Sequence, residues 1–214
     1  MSIKCIIFDY DGVIVDSFDE MHAVYQILCK ELGYKCPTDR EVFRKMYGND
    51  YSDLLVSLGV PKKLWEKGSE IYYREIVKRN SLPFSQIKEQ LDILSKKYVL
   101  YVVSATSQEE VKSKLIKNNL DKYFKKIFAR GHYSEMFKKA EAIKSIIKEE
   151  KVGLDEVIYV GDMNRDYERS KEAGLKNIII LDYGWGNTIT TDQAVKVKKQ
   201  EDLLDVIEQC DLKY

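Results

Sequence analysis

Two aspartates two positions apart follow the first apolar stretch of the chain. The run Ile3–Phe8 leads directly into Asp9, with Asp11 and Gly12 next. Ligands of open α/β sheets bind beyond the carboxyl ends of the strands, so both carboxylates are candidates for a site in that crevice. The alternative is a turn without chemistry, because Asp-Gly is a common turn pair. On its own, this pair leaves both interpretations open.

A second pair of aspartates follows another apolar run. Val157–Val160 precedes Gly161, and Asp162 and Asp166 lie four residues apart where a helix is expected to begin. Helix capping could explain one of these acids but hardly two such pairs. If the two strands are neighbours, four carboxylates converge, and their mutual repulsion requires a hard divalent cation. An all-oxygen ligand set favours Mg²⁺, which is the expected cofactor.

A hydroxyl side chain ends a third apolar run. Ser104 follows Tyr98–Val103, and a helical segment begins at Gln108 after Thr106 and Ser107. A serine oxygen and backbone N–H groups at such a point form a cradle for a phosphate. A simple helix cap is the alternative, and it is the preferred interpretation for Thr106 or Ser107.

Two lysines, Lys138 and Lys139, open the helical segment that precedes the Asp162 strand. Cations are unusual at a helix N-terminus because the macrodipole repels them. A lysine at this point indicates an anionic partner, either the acid cluster or a substrate phosphate. A solvated surface lysine is the alternative in a chain so rich in lysine.

Short β-branched runs alternate with helix-period segments along the chain. Their near-continuous apolarity is typical of strands covered on both faces, as in a parallel sheet. The alternation predicts an α/β fold with a Rossmann-like, doubly wound parallel sheet. Strands are predicted at Ile3–Phe8, Tyr98–Val103, Lys126–Ala129, Val157–Val160 and Asn177–Leu181, and helices at Ser85–Lys97, Gln108–Asn118, Lys139–Glu150 and Asp166–Ala173.

The connection between the first two predicted strands is the exception, because it is helical in pattern over most of its length. A connection this long is far beyond an ordinary crossover, so it should fold as a small helical bundle. We therefore predict a core domain from residues 1–15 and 82–214 and a helical cap domain from residues 16–81. Residues 190–214 are expected to form a loop, a short edge strand and a closing helix.

The composition excludes several classes of protein. Among 214 residues, 35 Lys and Arg balance 35 Asp and Glu, so the chain lacks the one-sided field that non-specific nucleic-acid or anionic-membrane binding needs. A hydrophobic fraction of 44% with 3 prolines excludes a disordered or collagen-like chain. No apolar run approaches the length of a membrane helix. We expect a cytoplasmic monomer or homodimer that binds neither nucleic acid nor membrane.

The cysteines and histidines give no sign of a soft-metal site. The 4 cysteines are scattered without a Cys-x-x-Cys pair, which favours buried, reduced thiols. The 2 histidines, His22 and His132, are too few for an imidazole cage and are expected to be structural. A catalytic role for His22 is the less favoured alternative.

Together, these signals resemble the haloacid dehalogenase superfamily of aspartate-nucleophile phosphohydrolases. The resemblance extends from Asp9 to about Gly186 and is most specific in Asp9–Ser17, which reads DYDGVIVDS, and in the GDxxxD stretch that begins at Gly161. The inserted helices are similar to the cap of the phosphoglycolate phosphatase-like and β-phosphoglucomutase-like branches.

The resemblance implies a role for each acid. Asp9 is implied as the nucleophile and Asp11 as the general acid and base. Mg²⁺ is implied to bind Asp9, Asp162 and the backbone carbonyl of Asp11. Asp166 is implied to support the metal directly or through water.

The resemblance also implies a phosphate site made of Ser104, the backbone amide of Ala105, and a lysine. The Lys-Pro-x-Pro stretch that is common in the family is absent here. Lys139 is the first choice because Ile143 follows it by four residues, as in other members, and Lys138 is the alternate.

The implied activity is Mg²⁺-dependent hydrolysis of a small phosphomonoester through an aspartyl-phosphate. A phosphosugar mutase is the main alternative, a haloacid dehalogenase is disfavoured by Asp11, and a non-catalytic binding protein is the last. Phosphoglycolate, a sugar phosphate, a nucleotide and pyrophosphate all remain open as substrates.

Two loops are candidates for substrate contact. Arg44, Lys45 and Gly48–Asn49 interrupt the cap helices and could face the site, with solvated surface charges as the alternative. Of these, Arg44 is the predicted substrate-binding residue. The aromatic loop Tyr183–Gly186 could touch substrate, although a packing role for Trp185 is equally compatible.

Overall fold

The computed structural model describes residues 2–47, 51–131, 137–185 and 194–212. The chain divides into two compact units, one formed by residues 1–16 and 82–214 and the other by residues 17–81. The first unit carries the large sheet, and the second is helical.

The elements follow one another in the order that a doubly wound fold with an insertion requires. Within the described ranges, the strands are β1 (Cys5–Phe8), β2 (Val15–Asp16), β3 (Leu82–Pro83), β4 (Val99–Ser107), β5 (Lys126–Arg130), β6 (Val157–Gly161), β7 (Asn177–Leu181) and β8 (Val195–Val197). The helices are α1 (Phe18–Leu32), α2 (Arg40–Met46), α3 (Tyr51–Ser57), α4 (Trp65–Ile76), α5 (Ile87–Leu94), α6 (Gln108–Lys117), α7 (Lys139–Glu150), α8 (Asn164–Glu172) and α9 (Leu203–Leu212).

The large sheet has the strand order β5-β4-β1-β6-β7-β8, and all of its pairs are parallel. The strand order reverses at β1, so the carboxyl ends of β1, β4 and β6 lie side by side at the topological switch point. The small strands β2 and β3 form an antiparallel pair where the chain leaves and re-enters this unit. The predicted α/β fold with a doubly wound parallel sheet is confirmed.

Both faces of the large sheet are covered by helices. Ile6 and Phe8 of β1 belong to a core shared with α5, α6 and α9. Cys5 and Ile7, which point the opposite way, belong to a second core shared with α7. Alternate residues of β1 thus pack into two different apolar cores, one on each face of the sheet. This explains the continuous apolar run in the sequence.

The predicted boundaries of β7 and α7 match the structure, and others differ for local reasons. Helix α5 begins at Ile87 rather than Ser85, because the N–H of Ile87 closes a turn onto the carbonyl of Phe84. Helix α8 begins at Asn164 rather than Asp166, whose side chain accepts hydrogen bonds from the turn before it.

The helical unit is organised around the buried ring of Phe43 on α2. Ring centroids of Phe18, His22 and Tyr25 on α1 lie 5.9, 4.3 and 5.6 Å from that of Phe43. His22 also lies 2.6 Å, from Nε2 to oxygen, from the carbonyl of Pro37, which is the structural role expected of it. His132 lies outside the described residues.

The four cysteines are free thiols in the structure. Cys5, Cys29 and Cys210 are buried and Cys36 is half-buried. In the part of the chain that the structure describes, none of the helices has the length and apolar character that crossing a bilayer requires.

We predict that Phe43→Ala lowers the free energy of unfolding of the helical unit by about 3–5 kcal/mol, because it empties the centre of an aromatic cluster. Urea unfolding followed by circular dichroism measures the change. The matched control is Val42→Ala on the same helix, whose side chain is 49% exposed and should shift stability by less than about 0.5 kcal/mol. Equal effects of the two substitutions would contradict the prediction.

Candidate active site

Asp9 lies at the carboxyl end of β1, in the middle of the sheet. Its backbone N–H donates to the carbonyl of Val160 at 2.8 Å, which continues the β1–β6 pairing by one residue. Its Oδ1 accepts a hydrogen bond from the N–H of Tyr10 at 2.8 Å, and the side chain is buried. The end of the strand therefore fixes where this carboxylate lies.

A tight turn at Gly12 follows. Gly12 has a φ of +74°, and a Cβ at this position would lie 2.0 Å from Oδ2 of Asp162. Only glycine satisfies both the backbone angle and the close approach. The turn thus brings the backbone at Gly12 close to the carboxylate of Asp162.

Asp162 follows β6, the strand next to β1. The two strands pair in register, so Asp9 and Asp162 leave the sheet side by side. Asp162 is 1% exposed, and its Oδ2 accepts a hydrogen bond from the N–H of Trp185. A Cβ at Gly184 would lie 2.4 Å from the Cβ of Asp162, so the loop after β7 packs directly on this residue.

Asp166 lies in the first turn of α8, and both of its carboxylate oxygens accept hydrogen bonds from other groups of the protein. Its Oδ2 accepts from the N–H groups of Asp162 and Met163, each at 3.1 Å. Its Oδ1 accepts from Nζ of Lys139 at 2.6 Å and from the hydroxyl of Tyr159 at 3.3 Å. A carboxylate offers about four lone-pair positions, so these contacts favour a supporting role over direct metal ligation.

Lys139 is the first residue of α7, and it is buried. Its Nζ donates to Oδ2 of Asp9 at 2.7 Å and to Oδ1 of Asp166 at 2.6 Å. The ammonium therefore bridges two carboxylates from different strand ends. Lys138, the alternate, is exposed.

Carboxylate oxygens of Asp9, Asp162 and Asp166 all lie within 4.8 Å of one another. Counting these three negative charges against the one positive charge of Lys139 leaves a formal excess of two negative charges in the group of four. Like charges this close in a buried site repel strongly. One divalent cation would neutralise the excess.

The pKa values respond to this crowding. Burial raises the pKa of Asp9 to about 7; the Lys139 ammonium opposes the shift and the charge of Asp166 adds to it. Burial, with the charges of Asp166 and Asp9, raises the pKa of Asp162 well above its usual range. Burial alone would raise the pKa of Asp166 too, but contact with Lys139 lowers it. Lys139 thus pairs with both Asp166 and Asp9, whereas Asp162 has no ion pair among the residues that the structure describes.

The donor set fits Mg²⁺. The available groups are carboxylate oxygens, which hard divalent cations prefer, and the excess charge matches one such ion. Since the oxygens of Asp166 are engaged, Asp9 and Asp162 are the side chains best placed to hold it. The resemblance already implied Asp162 as a ligand and Asp166 as its support, directly or through water, and the hydrogen bonds of Asp166 favour the indirect form of that support.

The side chain of Asp11 is absent from the described cluster of three carboxylates. Its Oδ2 instead accepts a hydrogen bond from Oγ1 of Thr106 at 2.5 Å. The expected convergence of four carboxylates therefore holds for three of them. The sequence predicted a helix cap at Thr106 or Ser107, and Ser107 is the cap: it accepts from the N–H of Glu110 at 3.3 Å.

Ser104 lies near the end of β4, the other neighbour of β1. It is buried, and its Oγ accepts from the N–H of Thr106 at 3.0 Å, which leaves the hydroxyl hydrogen for another acceptor. Ala105 is half-buried between these two hydroxyl residues. The sequence did contain a pattern that could have indicated Thr106: Ser104 and Thr106 are two residues apart, and side chains at that spacing on a strand share a face.

The remaining candidates for substrate contact belong to the helical unit and to the loop after β7, whose Trp185 contacts Asp162. Arg44 belongs to the helical unit, where its guanidinium lies 4.8 Å from the ring centroid of Phe18, and Lys45 is exposed. Gly48–Asn49 and Gly186 lie outside the described residues. In the first unit, Tyr183 packs edge-on against Phe84, with ring centroids 5.4 Å apart.

Comparison with known proteins identifies relatives along nearly the whole chain. A phosphoglycolate phosphatase from Vibrio parahaemolyticus is 24% identical over 96% of this chain and 96% of its own length. A phosphorylated carbohydrates phosphatase from Thermotoga maritima is 22% identical over 97% of this chain and 99% of its own.

A solved structure has the same fold. The haloacid dehalogenase-like family hydrolase from Streptococcus pneumoniae superposes with a TM-score of 0.81 at 22% identity, covering 94% of this chain and 97% of that one. The sequence profile of the haloacid dehalogenase-like hydrolases matches residues 6–180. The resemblance drawn from the sequence is confirmed: the chain belongs to the haloacid dehalogenase-like hydrolase family.

Proposed function

We propose that this protein is a Mg²⁺-dependent phosphatase that hydrolyses phosphomonoesters of small metabolites through an aspartyl-phosphate. The observation that carries the proposal is the buried group of Asp9, Asp162, Asp166 and Lys139, with the carboxylate of Asp11 held apart from the acid cluster. Such a group supplies a nucleophile, a cation site and a separate proton carrier. The phosphatase names of two relatives support the same class.

Asp9 is the proposed nucleophile. One of its carboxylate oxygens attacks phosphorus in line and forms an acyl-phosphate bond while the bond to the leaving oxygen breaks. Water then attacks phosphorus, releases inorganic phosphate and restores the carboxylate. Covalent catalysis of this kind divides one difficult hydrolysis into two easier steps.

Asp11 is the proposed proton carrier. In the first step its carboxyl group donates a proton to the leaving alkoxide, and in the second the carboxylate accepts a proton from the attacking water. Its bond to Thr106, rather than to Lys139, supports a role separate from that of Asp9.

Charge on the transferring phosphoryl group needs donors from several directions. The hydroxyl of Ser104, the backbone N–H of Ala105 and the ammonium of Lys139 are proposed to supply them. Mg²⁺, held by Asp9, Asp162 and the backbone carbonyl of Asp11, would offset the repulsion between an anionic nucleophile and an anionic phosphate. Asp166 is proposed to hold Lys139 and the backbone of Asp162 in place.

The proposed substrates are small phosphorylated acids or sugars, the classes named for the two relatives. Residues 1–15 and 82–214 would form the catalytic core, and residues 16–81 a cap that selects the leaving group. We propose that the protein works in the cytoplasm as a monomer or homodimer.

A phosphosugar mutase would use the same nucleophile but would keep the aspartyl-phosphate from water. A screen of phosphorylated metabolites with Mg²⁺ should therefore follow both released inorganic phosphate and sugar-phosphate isomers. Phosphate release supports the proposal, and isomerisation without release contradicts it.

We predict that Asp9→Asn lowers kcat for p-nitrophenyl phosphate by at least about 10³-fold, because an amide cannot form the covalent intermediate. Steady-state kinetics with Mg²⁺ measure the loss, and circular dichroism verifies folding. Asp92→Asn is the matched control, since Asp92 pairs with Lys96 on the surface of α5. Full activity in Asp9→Asn rejects the nucleophile assignment.

We predict that Mg²⁺ raises the melting temperature of the wild-type protein by several degrees and that of Asp162→Asn by much less, since binding to the native state stabilises it. In EDTA, Asp162→Asn should melt at the same temperature as the wild-type protein or at a higher one, because it removes one of the repelling charges. Thermal unfolding with and without Mg²⁺ measures both effects without an activity assay. An equal Mg²⁺ shift in the two proteins would argue against Asp162 as a ligand.

We propose that Arg44, the substrate-binding residue predicted from the sequence, contacts the substrate carboxylate, and we predict that Arg44→Met then raises KM for 2-phosphoglycolate about tenfold. Arg40→Met is the matched control: its guanidinium lies 4.7 Å from the centroid of the same Phe18 ring and, like that of Arg44, pairs with Glu41, and it also pairs with Asp19, so its loss removes at least as many local contacts. An equal rise in KM for both variants would assign the effect to packing.

A further inference from the structure

We infer that Thr106 is a positioning residue that holds Asp11 in the orientation needed to protonate the leaving group. The inference rests on the proposed phosphatase function and adds a residue to it. Its basis is the 2.5 Å hydrogen bond from Oγ1 of Thr106 to Oδ2 of Asp11, between residues 95 positions apart in the chain.

An irregular end of β4 sets the position of Thr106. Ser104 pairs with Ala129 of β5, and the next pair is Ser107 with Arg130, so the register shifts between them. Such irregularities commonly re-aim side chains next to active sites. Here the shift encloses Ala105 and Thr106, the residues between the phosphate candidate Ser104 and the helix cap Ser107.

Each hydroxyl of this segment has a distinct partner. Ser104 accepts from the N–H of Thr106, and Ser107 accepts from the N–H of Glu110. Thr106 alone among them donates to the carboxylate of Asp11. The capping requirement of α6 is met by Ser107, so it does not explain a hydroxyl at position 106.

The direction of this bond fixes one oxygen of the acid. A threonine hydroxyl has one hydrogen, and donating it to Oδ2 makes that oxygen an acceptor and sets the rotation of the Asp11 carboxyl group. The same bond holds the Asp11 carboxylate on the β4 side of the site, apart from the ammonium of Lys139. Thr106 thus orients the acid without touching the reacting atoms.

The effect of losing this bond depends on the leaving group. A p-nitrophenolate is weakly basic and departs with little help from an acid, whereas the more basic phenolate gains more from protonation. The value of kcat/KM depends only on the steps up to and including the first irreversible one. It therefore reports departure of the leaving group and not the later attack of water. A misplaced Asp11 should therefore lower kcat/KM more for phenyl phosphate than for p-nitrophenyl phosphate.

The test compares Thr106→Val with the wild-type protein on these two substrates in the presence of Mg²⁺. We expect Thr106→Val to lower kcat/KM for both, with a loss at least about tenfold larger for phenyl phosphate. Thr106→Ser, which keeps the hydroxyl, should restore most of the difference. Asp11→Asn is the positive control and should show the same leaving-group selectivity.

Ser107→Ala is the matched structural control, because it removes a hydroxyl from the same segment without touching Asp11. It should leave the ratio of the two kcat/KM values unchanged, even if it lowers the melting temperature. Equal losses on the two substrates in Thr106→Val, alongside selective losses in Asp11→Asn, would overturn the inference and leave the proposed function standing. A wild-type protein inactive on both substrates would overturn the proposed function itself.

Discussion

The site depends on one electrostatic constraint: two neighbouring parallel strands end in buried carboxylates that cannot all be charged without a counterion. Asp9 and Asp162 are adjacent because β1 and β6 pair in register, so the sheet itself creates the repulsion. The Lys139 ammonium compensates part of it, at the N-terminus of a helix where the dipole disfavours a cation. A lysine is stable there because two carboxylates contact it at 2.7 and 2.6 Å.

Close backbone packing keeps that constraint from relaxing. A Cβ at Gly12 or Gly184 would meet atoms of Asp162 at 2.0 and 2.4 Å, and one at Gly161 would lie 2.4 Å from the Cβ of Asp166. Three glycines from separate segments therefore surround the acids with backbone. Side chains held this tightly have little freedom to turn away from one another, so the protein backbone itself keeps the carboxylates together.

Sequence reasoning reached the parts of the site that local pattern determines. An apolar run that ends in an acid marks a strand end, which located Asp9 and Asp162, and the unusual charge at the start of α7 indicated Lys139. The four-residue spacing to Ile143 favoured Lys139 over Lys138, and only Lys139 is buried in the structure. The saturated hydrogen bonding of Asp166 and the partner of Thr106 were not predictable, because both depend on contacts set by tertiary packing and by the β4–β5 register shift.

The Asp9 and Asp11 carboxylates are close in the chain but have different hydrogen-bond partners. Residues two apart on a strand share a face, so continued β-structure would have directed both carboxylates into the same charged cluster. Strand β1 ends at Phe8 and the chain turns at Gly12, and the hydroxyl of Thr106 binds the second acid on the β4 side. One carboxylate is left beside the ammonium and the cation site, and the other beside a neutral donor. The two acids therefore differ in their contacts, although only one residue lies between them in the chain.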